Sequence, residues 1–225
     1  QTMSLQKRTE SVEIYGPAGI EEFITANIKV LNFGLPFPVF ITIVNEGNVV
    51  SEKDYQVKCC DAQHGIPAFS YCFEENERAG VFYPDKAKEL GIPEGKLWQE
   101  LQNGNSIQID GKKIEPSQIT GEKRLGKKIG ISGDTRPTKK LEEFFKNSDY
   151  LSFDCTFSFD LKDRAIETNH STAKEAAELA KNANVRNLIL THFSARYNDE
   201  SVLLNEAKQI HESVVTAKDL LEIEI

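Results

Sequence analysis

Five residues of this chain have the types and the placement from which a metal centre or an acid–base pair is built: His64, His170, His192, Asp134 and Asp154. Histidine titrates near neutral pH and ligates metals through either ring nitrogen, so its position in a loop is chemically informative. His64 lies in Asp61-Ala62-Gln63-His64-Gly65-Ile66-Pro67, His170 in Asn169-His170-Ser171-Thr172, and His192 in Thr191-His192-Phe193-Ser194. Taken singly, each reads first as a hydrogen-bonded structural histidine. Taken with Asp134 and Asp154, both at strand ends, the group reads as a metal site or an acid–base site. Histidines with a bridging carboxylate are a ligand set that zinc or manganese accepts. The fourth histidine, His211, is predicted on the exposed end of a helix, as surface decoration.

The elements that must position these side chains follow from periodicity. Residues 11–15 alternate as a short strand and are closed by Gly16-Pro17-Ala18-Gly19; residues 20–30 carry apolar positions near a 3.6 period. Residues 38–46, 55–60 and 67–74 read as strands, with Asn45-Glu46-Gly47-Asn48 as turn chemistry. From Lys128 onward the pattern repeats as strand, loop, helix. Strands are predicted at 128–132, 150–153 and 186–191, helices at 137–146, 172–183 and 200–211, and closing strands at 214–217 and 220–225. Three such units in a row predict an α/β layer, whose strand carboxyl ends are where ligands bind. Asp134, Asp154 and His192 fall at those ends.

Between these halves, residues 76–128 change character. Helical snatches at 85–90 and 96–101 are separated by Gly91-Ile92-Pro93-Glu94-Gly95 and Asn103-Gly104-Asn105. A hairpin is predicted around Asp110-Gly111. The stretch holds ten Lys/Arg against eight Asp/Glu and leans basic in a chain whose net charge is −8. It reads as an inserted arm. Its lysines are open to two readings, a solvated face or a phosphate-contacting one.

Composition narrows the classes. The chain has 225 residues, 39% hydrophobic and 28% charged, which excludes disordered and fibrous classes. No apolar run reaches the ~18–20 residues of a membrane span. Four cysteines are too few for a disulfide scaffold. Cys59 and Cys60 are adjacent on a predicted strand and lack metal-ligand spacing, so core packing is expected. Gly16-x-x-Gly19 is too short for a dinucleotide loop, and neither a phosphate loop with Lys-Ser/Thr nor a Gly-x-Ser-x-Gly elbow is present.

Six segments occur in an order that resembles the ribonuclease Z family. They are Ile14-Tyr15-Gly16-Pro17-Ala18-Gly19, His64-Gly65-Ile66-Pro67-Ala68-Phe69, Gly91-Ile92-Pro93-Glu94-Gly95-Lys96-Leu97-Trp98, Ser132-Gly133-Asp134-Thr135-Arg136-Pro137, His170-Ser171-Thr172 and Leu190-Thr191-His192-Phe193-Ser194-Ala195-Arg196-Tyr197. The Gly-Asp-Thr and Thr-His-x-Ser-x-Arg-Tyr motifs indicate the wider metallo-β-lactamase superfamily; the Gly-Ile-Pro-x-Gly-x-Leu-Trp segment inside the arm narrows it. The resemblance implies an α/β fold, the αββα sandwich of the metallo-β-lactamase type, with the fold's first half ending near residue 75, the arm at 76–126 and the second half at 127–225. It implies a zinc-dependent endoribonuclease that removes the 3′ trailer from precursor tRNA and leaves a 3′-hydroxyl.

By the same resemblance His64, Asp134 and His192 match the metal ligands, with Asp134 bridging two zinc ions. His170 matches the proton donor to the leaving oxygen, Arg196 the arginine that meets substrate phosphate. Asp154 stands where the family has the glutamate that pairs with that histidine, one methylene shorter. The arm implies tRNA contact through Lys86, Lys88, Lys96, Lys112, Lys113, Lys123 and Arg124, in a cytoplasmic homodimer. The family's His-x-His-x-Asp-His motif does not occur in the sequence. The expectation is therefore a chain that begins just after it, with an N-terminally incomplete fold, an incomplete zinc ligand set and no activity by itself. Two alternatives go with that expectation: a non-catalytic module binding pre-tRNA, and a related hydrolase of small phosphodiesters.

Overall fold

The computed structural model describes residues 2–32 and 34–225. They divide into two compact units, one of residues 2–32, 34–52, 56–74 and 128–225 and one of residues 53–55 and 75–127.

The first unit is built on a seven-stranded sheet. After a short helix α1 (Thr2–Leu5), strand β1 (Val12–Gly16) runs into helix α2 (Ile20–Val30) and pairs in parallel with β2 (Val39–Ile43) as a separate two-stranded sheet. Strands β3 (Gly47–Ser51), β4 (Tyr55–Asp61) and β5 (Phe69–Glu75) lead into the large sheet. Its order is completed by four later strands, β8 (Lys128–Ile131), β9 (Tyr150–Asp154), β10 (Asn187–Thr191) and β11 (Val214–Thr216), giving β11-β10-β9-β8-β5-β4-β3. The four later strands pair in parallel, whereas β5 meets β8 antiparallel.

Parallel strands require crossovers, and helices supply them. Helices α5 (Lys139–Phe144), α6 (Lys162–Thr168), α7 (Ala173–Asn182) and α8 (Ser201–Lys208) connect the later strands. The period-two burial of Leu151 and Phe153 in β9 and of Leu188 and Leu190 in β10 faces the alanines of α7 (Ala173, Ala176, Ala177 and Ala180), all buried in one core. Small residues let that helix approach closely. At Gly130 a Cβ would lie 2.4 Å from the Phe145 ring and 2.8 Å from Leu151, so glycine there is what admits Phe145 to the core. Helix α7 starts on a reciprocal cap, with Thr172 Oγ1 accepting from the Glu175 amide and the Glu175 carboxylate accepting from the Thr172 amide.

The second unit has its own small core of Ala87, Ile92, Leu101, Ile107, Ile114 and Ile119. Helices α3 (Pro84–Glu89) and α4 (Lys96–Gln102) pack with hairpin β6 (Ile107–Ile109) and β7 (Lys112–Ile114). Asp110 and Gly111 both take left-handed backbone angles, φ 48° and 76°, as an Asp-Gly hairpin turn demands. The Trp98 indole donates to the Ile92 carbonyl at 3.0 Å, anchoring α4 over the Gly-Ile-Pro turn.

Four readings of the sequence are corrected. Gly47 and Asn48, read as part of a turn at 45–48, instead open strand β3, because they pair with Cys59 and Lys58 across an irregular register. Residues 220–225 form no strand; the sheet ends at β11. Helix α6 was not foreseen: its only buried side chain is Ala165, so it lacks an apolar stripe to read. His211 is 8% exposed, and its Nε2–H donates to the Val185 carbonyl at 2.8 Å. Helix α8 stops at Lys208 and the chain turns inward, which takes His211 into the sheet's flank. Cys59, Cys60, Cys72 and Cys155 are free and buried, and burial pushes the Cys72 thiol up to about 12.

Candidate active site

The register of the parallel strands determines the site. Thr191 pairs with Asp154, and Ile131 with Ser152, so the carboxyl ends of β8, β9 and β10 lie at one edge. Beyond β8 the backbone turns at Gly133, φ 61°, and presents Asp134; beyond β10 the chain turns at His192 itself, φ 62°. A non-glycine residue in the left-handed region costs about 1 kcal/mol or more, and such strain concentrates at functional positions. Asn169, φ 58°, ends α6 in the same conformation and delivers His170.

Three histidine rings meet there. His170 stacks on His192 with centroids 4.9 Å apart and 25° between planes, and lies 5.1 Å from the His64 ring. His192 Nε2 is 3.3 Å from Asp134 Oδ2. Ligand atoms of His64, Asp134 and His170 all lie within 4.8 Å of one another, as do those of Asp154, His170 and His192. The Nδ1 atom of each ring is occupied: His64 with the Asn169 carbonyl at 3.2 Å, His170 with Asp154 at 2.8 Å, His192 with Thr156 at 2.9 Å. Each ring therefore directs Nε2 to the site, that of His192 toward Asp134. This donor set fits a divalent metal of the zinc type.

Asp154 is the hub beneath the rings and is fully buried. Its Oδ2 accepts from the Thr135 amide at 3.0 Å and from His170 Nδ1 at 2.8 Å. Its Oδ1 accepts from the Thr156 amide at 3.1 Å, the Thr156 hydroxyl at 2.8 Å and the Ser171 amide at 3.3 Å. An aspartate therefore reaches His170 despite being one methylene shorter than glutamate. A carboxylate only accepts, so His170 carries a proton on Nδ1 and directs Nε2 into the site.

A second buried pair sets the floor. Arg136 donates through Nη1 to the His170 carbonyl at 2.5 Å and to Glu175 at 2.9 Å, and through Nη2 to the other Glu175 oxygen. Burial pushes the Glu175 carboxyl upward. The hydrogen bonds from Arg136 and Thr172 outweigh it and hold the group below the ordinary carboxylate range. The guanidinium of Arg196 lies 5.0 Å over the Phe157 ring, which in turn meets His170 at 6.4 Å. Among the described residues it makes no ion pair.

The structure thus brings His64, Asp134, Asp154, His170 and His192 together, with Arg196 beside them. The seven arm cations are all exposed in the second unit. Lys88, Lys113 and Lys123 are ion-paired with Glu94, Glu115 and Glu77, and Lys86 lies 4.7 Å over the Tyr83 ring. Sequence reasoning missed Thr135, Thr156 and Ser171 as donors to Asp154 and Arg136 as the clamp. Only the adjacency of these residues to the quoted motifs hinted at them.

The chain has relatives among known proteins. No protein-family model matches the chain. Ribonuclease Z of Nitrosopumilus maritimus is 62% identical over 225 residues, covering all of this chain and 75% of the relative. The chain belongs to the ribonuclease Z family. The Archaeoglobus fulgidus member is 41% identical over 228 residues, again covering the whole chain and 74% of the relative. Among solved structures, human tRNase Z, short form, superposes with a TM-score of 0.64 at 22% identity, covering 100% of this chain and 71% of that one. The metallo-β-lactamase fold protein YhfI of Bacillus subtilis superposes with a TM-score of 0.57 at 16% identity, covering 92% and 61%. The fold is accordingly of the metallo-β-lactamase type. Among the described residues no helix is long and apolar enough to cross a membrane.

Proposed function

We propose that this chain works as the family does, as a zinc-dependent endoribonuclease that cuts the 3′ trailer from precursor tRNA and leaves a 3′-hydroxyl on the tRNA. The observation that carries the reading is the His170–Asp154 pair, 2.8 Å long and rooted in a fully buried carboxylate, set beside Asp134, whose Oδ2 lies 3.3 Å from His192 Nε2 and whose carboxylate clusters with the ligand atoms of His64 and His170. His64, Asp134 and His192 would hold zinc, two ions per subunit in the complete enzyme. Bound zinc supplies Lewis acidity toward a phosphodiester oxygen and lowers the pKa of water toward neutrality.

The chain's own residues do the rest. His170, held through Nδ1, carries a proton on Nε2 and delivers it to the 3′-oxygen as that oxygen leaves. Asp154 orients the ring and balances the imidazolium charge. Arg196, free of a carboxylate partner among the described residues, meets the scissile phosphate. The His192 ring stacked on one side and the tilted His64 ring confine His170 to one orientation.

The second unit would grip the tRNA body through Lys86, Lys88, Lys96, Lys112, Lys113, Lys123 and Arg124, since structured RNA is recognised mainly by shape and phosphate contacts. Three of these cations carry carboxylate partners that RNA phosphates would replace. A cytoplasmic homodimer, the arm of one subunit serving the site of the other, belongs to the same proposal.

The test is cleavage of a precursor tRNA by the full-length protein, with both new termini mapped. The reading expects a cut at the tRNA 3′ end, a 3′-hydroxyl product and loss of cleavage with a zinc chelator. A 3′-phosphate product, or RNA bound tightly and left intact, overturns it.

A further inference from the structure

Thr156 sits between two of the site's groups and no role follows for it from the reaction as described. Its hydroxyl lies 2.8 Å from Asp154 Oδ1 and 2.9 Å from His192 Nδ1. A threonine hydroxyl has one hydrogen and two lone pairs. Asp154 Oδ1 has no hydrogen to give, so at 2.8 Å the hydroxyl hydrogen must point at it; the opposite arrangement would set lone pair against carboxylate in a fully buried place. The hydroxyl then has only a lone pair left for His192. The contact can be satisfied only if His192 Nδ1 bears the proton.

We propose that Thr156 is a positioning residue that keeps a proton on His192 Nδ1, so that Nε2, 3.3 Å from Asp134 Oδ2, is the ring atom left to give up its proton and serve the site. Asp154 thereby sets the tautomers of two histidines, of His170 directly and of His192 through one hydroxyl. The tautomer stands on hydrogen-bond geometry alone; its use in holding metal rests on the function proposed above. The backbone at His192 lies in the left-handed region, φ 62°, a conformation that persists only where surrounding contacts such as this one hold it. Thr156 is itself 7% exposed, and its amide donates to the same Asp154 oxygen, so both ends of the bridge are anchored.

The experiment is a long-range proton–nitrogen correlation spectrum of the histidine rings at pH 8, on metal-free full-length protein. It is repeated for Thr156→Val and Thr156→Ser. Valine keeps the shape and removes the hydroxyl; serine restores it. The expected result is a protonated Nδ1 for His192 in the native protein and in Thr156→Ser, and the Nε2–H tautomer or a mixture in Thr156→Val. A native His192 protonated on Nε2 alone, or an unchanged pattern in Thr156→Val, overturns the proposal; the first needs no variant to fold. Zinc affinity by chelator competition is the second readout. Thr156→Val should lose about 10-fold or more, the usual range for an outer partner of a ligating histidine, and serine should recover most of it. A shifted tautomer with unchanged zinc affinity overturns the positioning role toward metal, and leaves the nuclease reading to be judged by cleavage.

Discussion

Replacing Asp154 by asparagine should damage stability and chemistry together, by amounts that the hydrogen bonds around the carboxylate set. The amide oxygen will keep the Oδ1 side, where three donors converge. The amide nitrogen then occupies the Oδ2 side and faces two donors, the Thr135 amide at 3.0 Å and His170 Nδ1 at 2.8 Å. The Thr135 amide, in a residue with no exposed surface, loses its acceptor at a cost of about 1–3 kcal/mol. The remaining bonds lose their charge assistance, roughly another 1–2 kcal/mol in all. A total near ~3–4 kcal/mol is a large share of the ~5–15 kcal/mol that holds a typical domain together. His170 must turn its Nδ1 into an acceptor, which leaves a neutral ring without a counter-ion for the imidazolium. Proton donation should fall by about 10²–10⁴-fold. Urea unfolding gives the first quantity and single-turnover cleavage of precursor tRNA the second. Asparagine costing under ~1 kcal/mol, with the rate within tenfold of native, would show that the carboxylate is not the hub described.

Other expectations follow from neighbouring groups. Glu175 is held below its ordinary pKa, so it contributes stability above the unfolded value of about 4.3 and loses it as pH falls through the lower folded value. Acid unfolding monitored by circular dichroism should therefore shift for Glu175→Gln, whose stability depends less on pH below ~4.5 than the native protein's. Arg136→Met, which strands Glu175 in a buried place, should cost about 3–5 kcal/mol in denaturant midpoint experiments, far more than an exposed pair such as Arg164–Glu167. Gly133→Ala forces a side chain onto φ 61°, with its Cβ 3.5 Å from the Phe69 carbonyl. It should cost about 1 kcal/mol and displace Asp134, read as weaker zinc binding with secondary structure unchanged.

Much of the site was legible because its residues obey two visible rules. The parallel strands advertise themselves by apolar runs such as Leu188-Ile189-Leu190, and their carboxyl ends deliver Asp134, Asp154 and His192 to one edge. The Asp110-Gly111 hairpin and the Gly91–Gly95 turn were equally plain, since each rests on local chemistry. What stayed hidden depends on long-range packing. His211 looks like surface because its helix is short; only the return of the chain toward β10 buries it on the Val185 carbonyl. Gly47 and Asn48 look like the end of a turn until Gly47 finds Cys59 across the sheet. The ring of donors around Asp154 comes from residues 135, 156, 170 and 171, whose convergence no spacing announces. The Thr172–Glu175 cap was written in the sequence as Thr-x-x-Glu, yet its second task, gripping Arg136, depends on a residue nearly forty positions away.

The central claim is that His170, fixed by Asp154, gives its proton to the 3′-oxygen leaving the tRNA. It is tested most directly by comparing His170→Ala with the native protein on two precursor tRNAs that differ in one atom, one with the natural bridging 3′-oxygen and one with sulfur there. A thiolate leaves without protonation. The account predicts a loss of about 10²–10⁴-fold on the oxygen substrate and less than ~10-fold on the sulfur one. Equal losses on both substrates would contradict it.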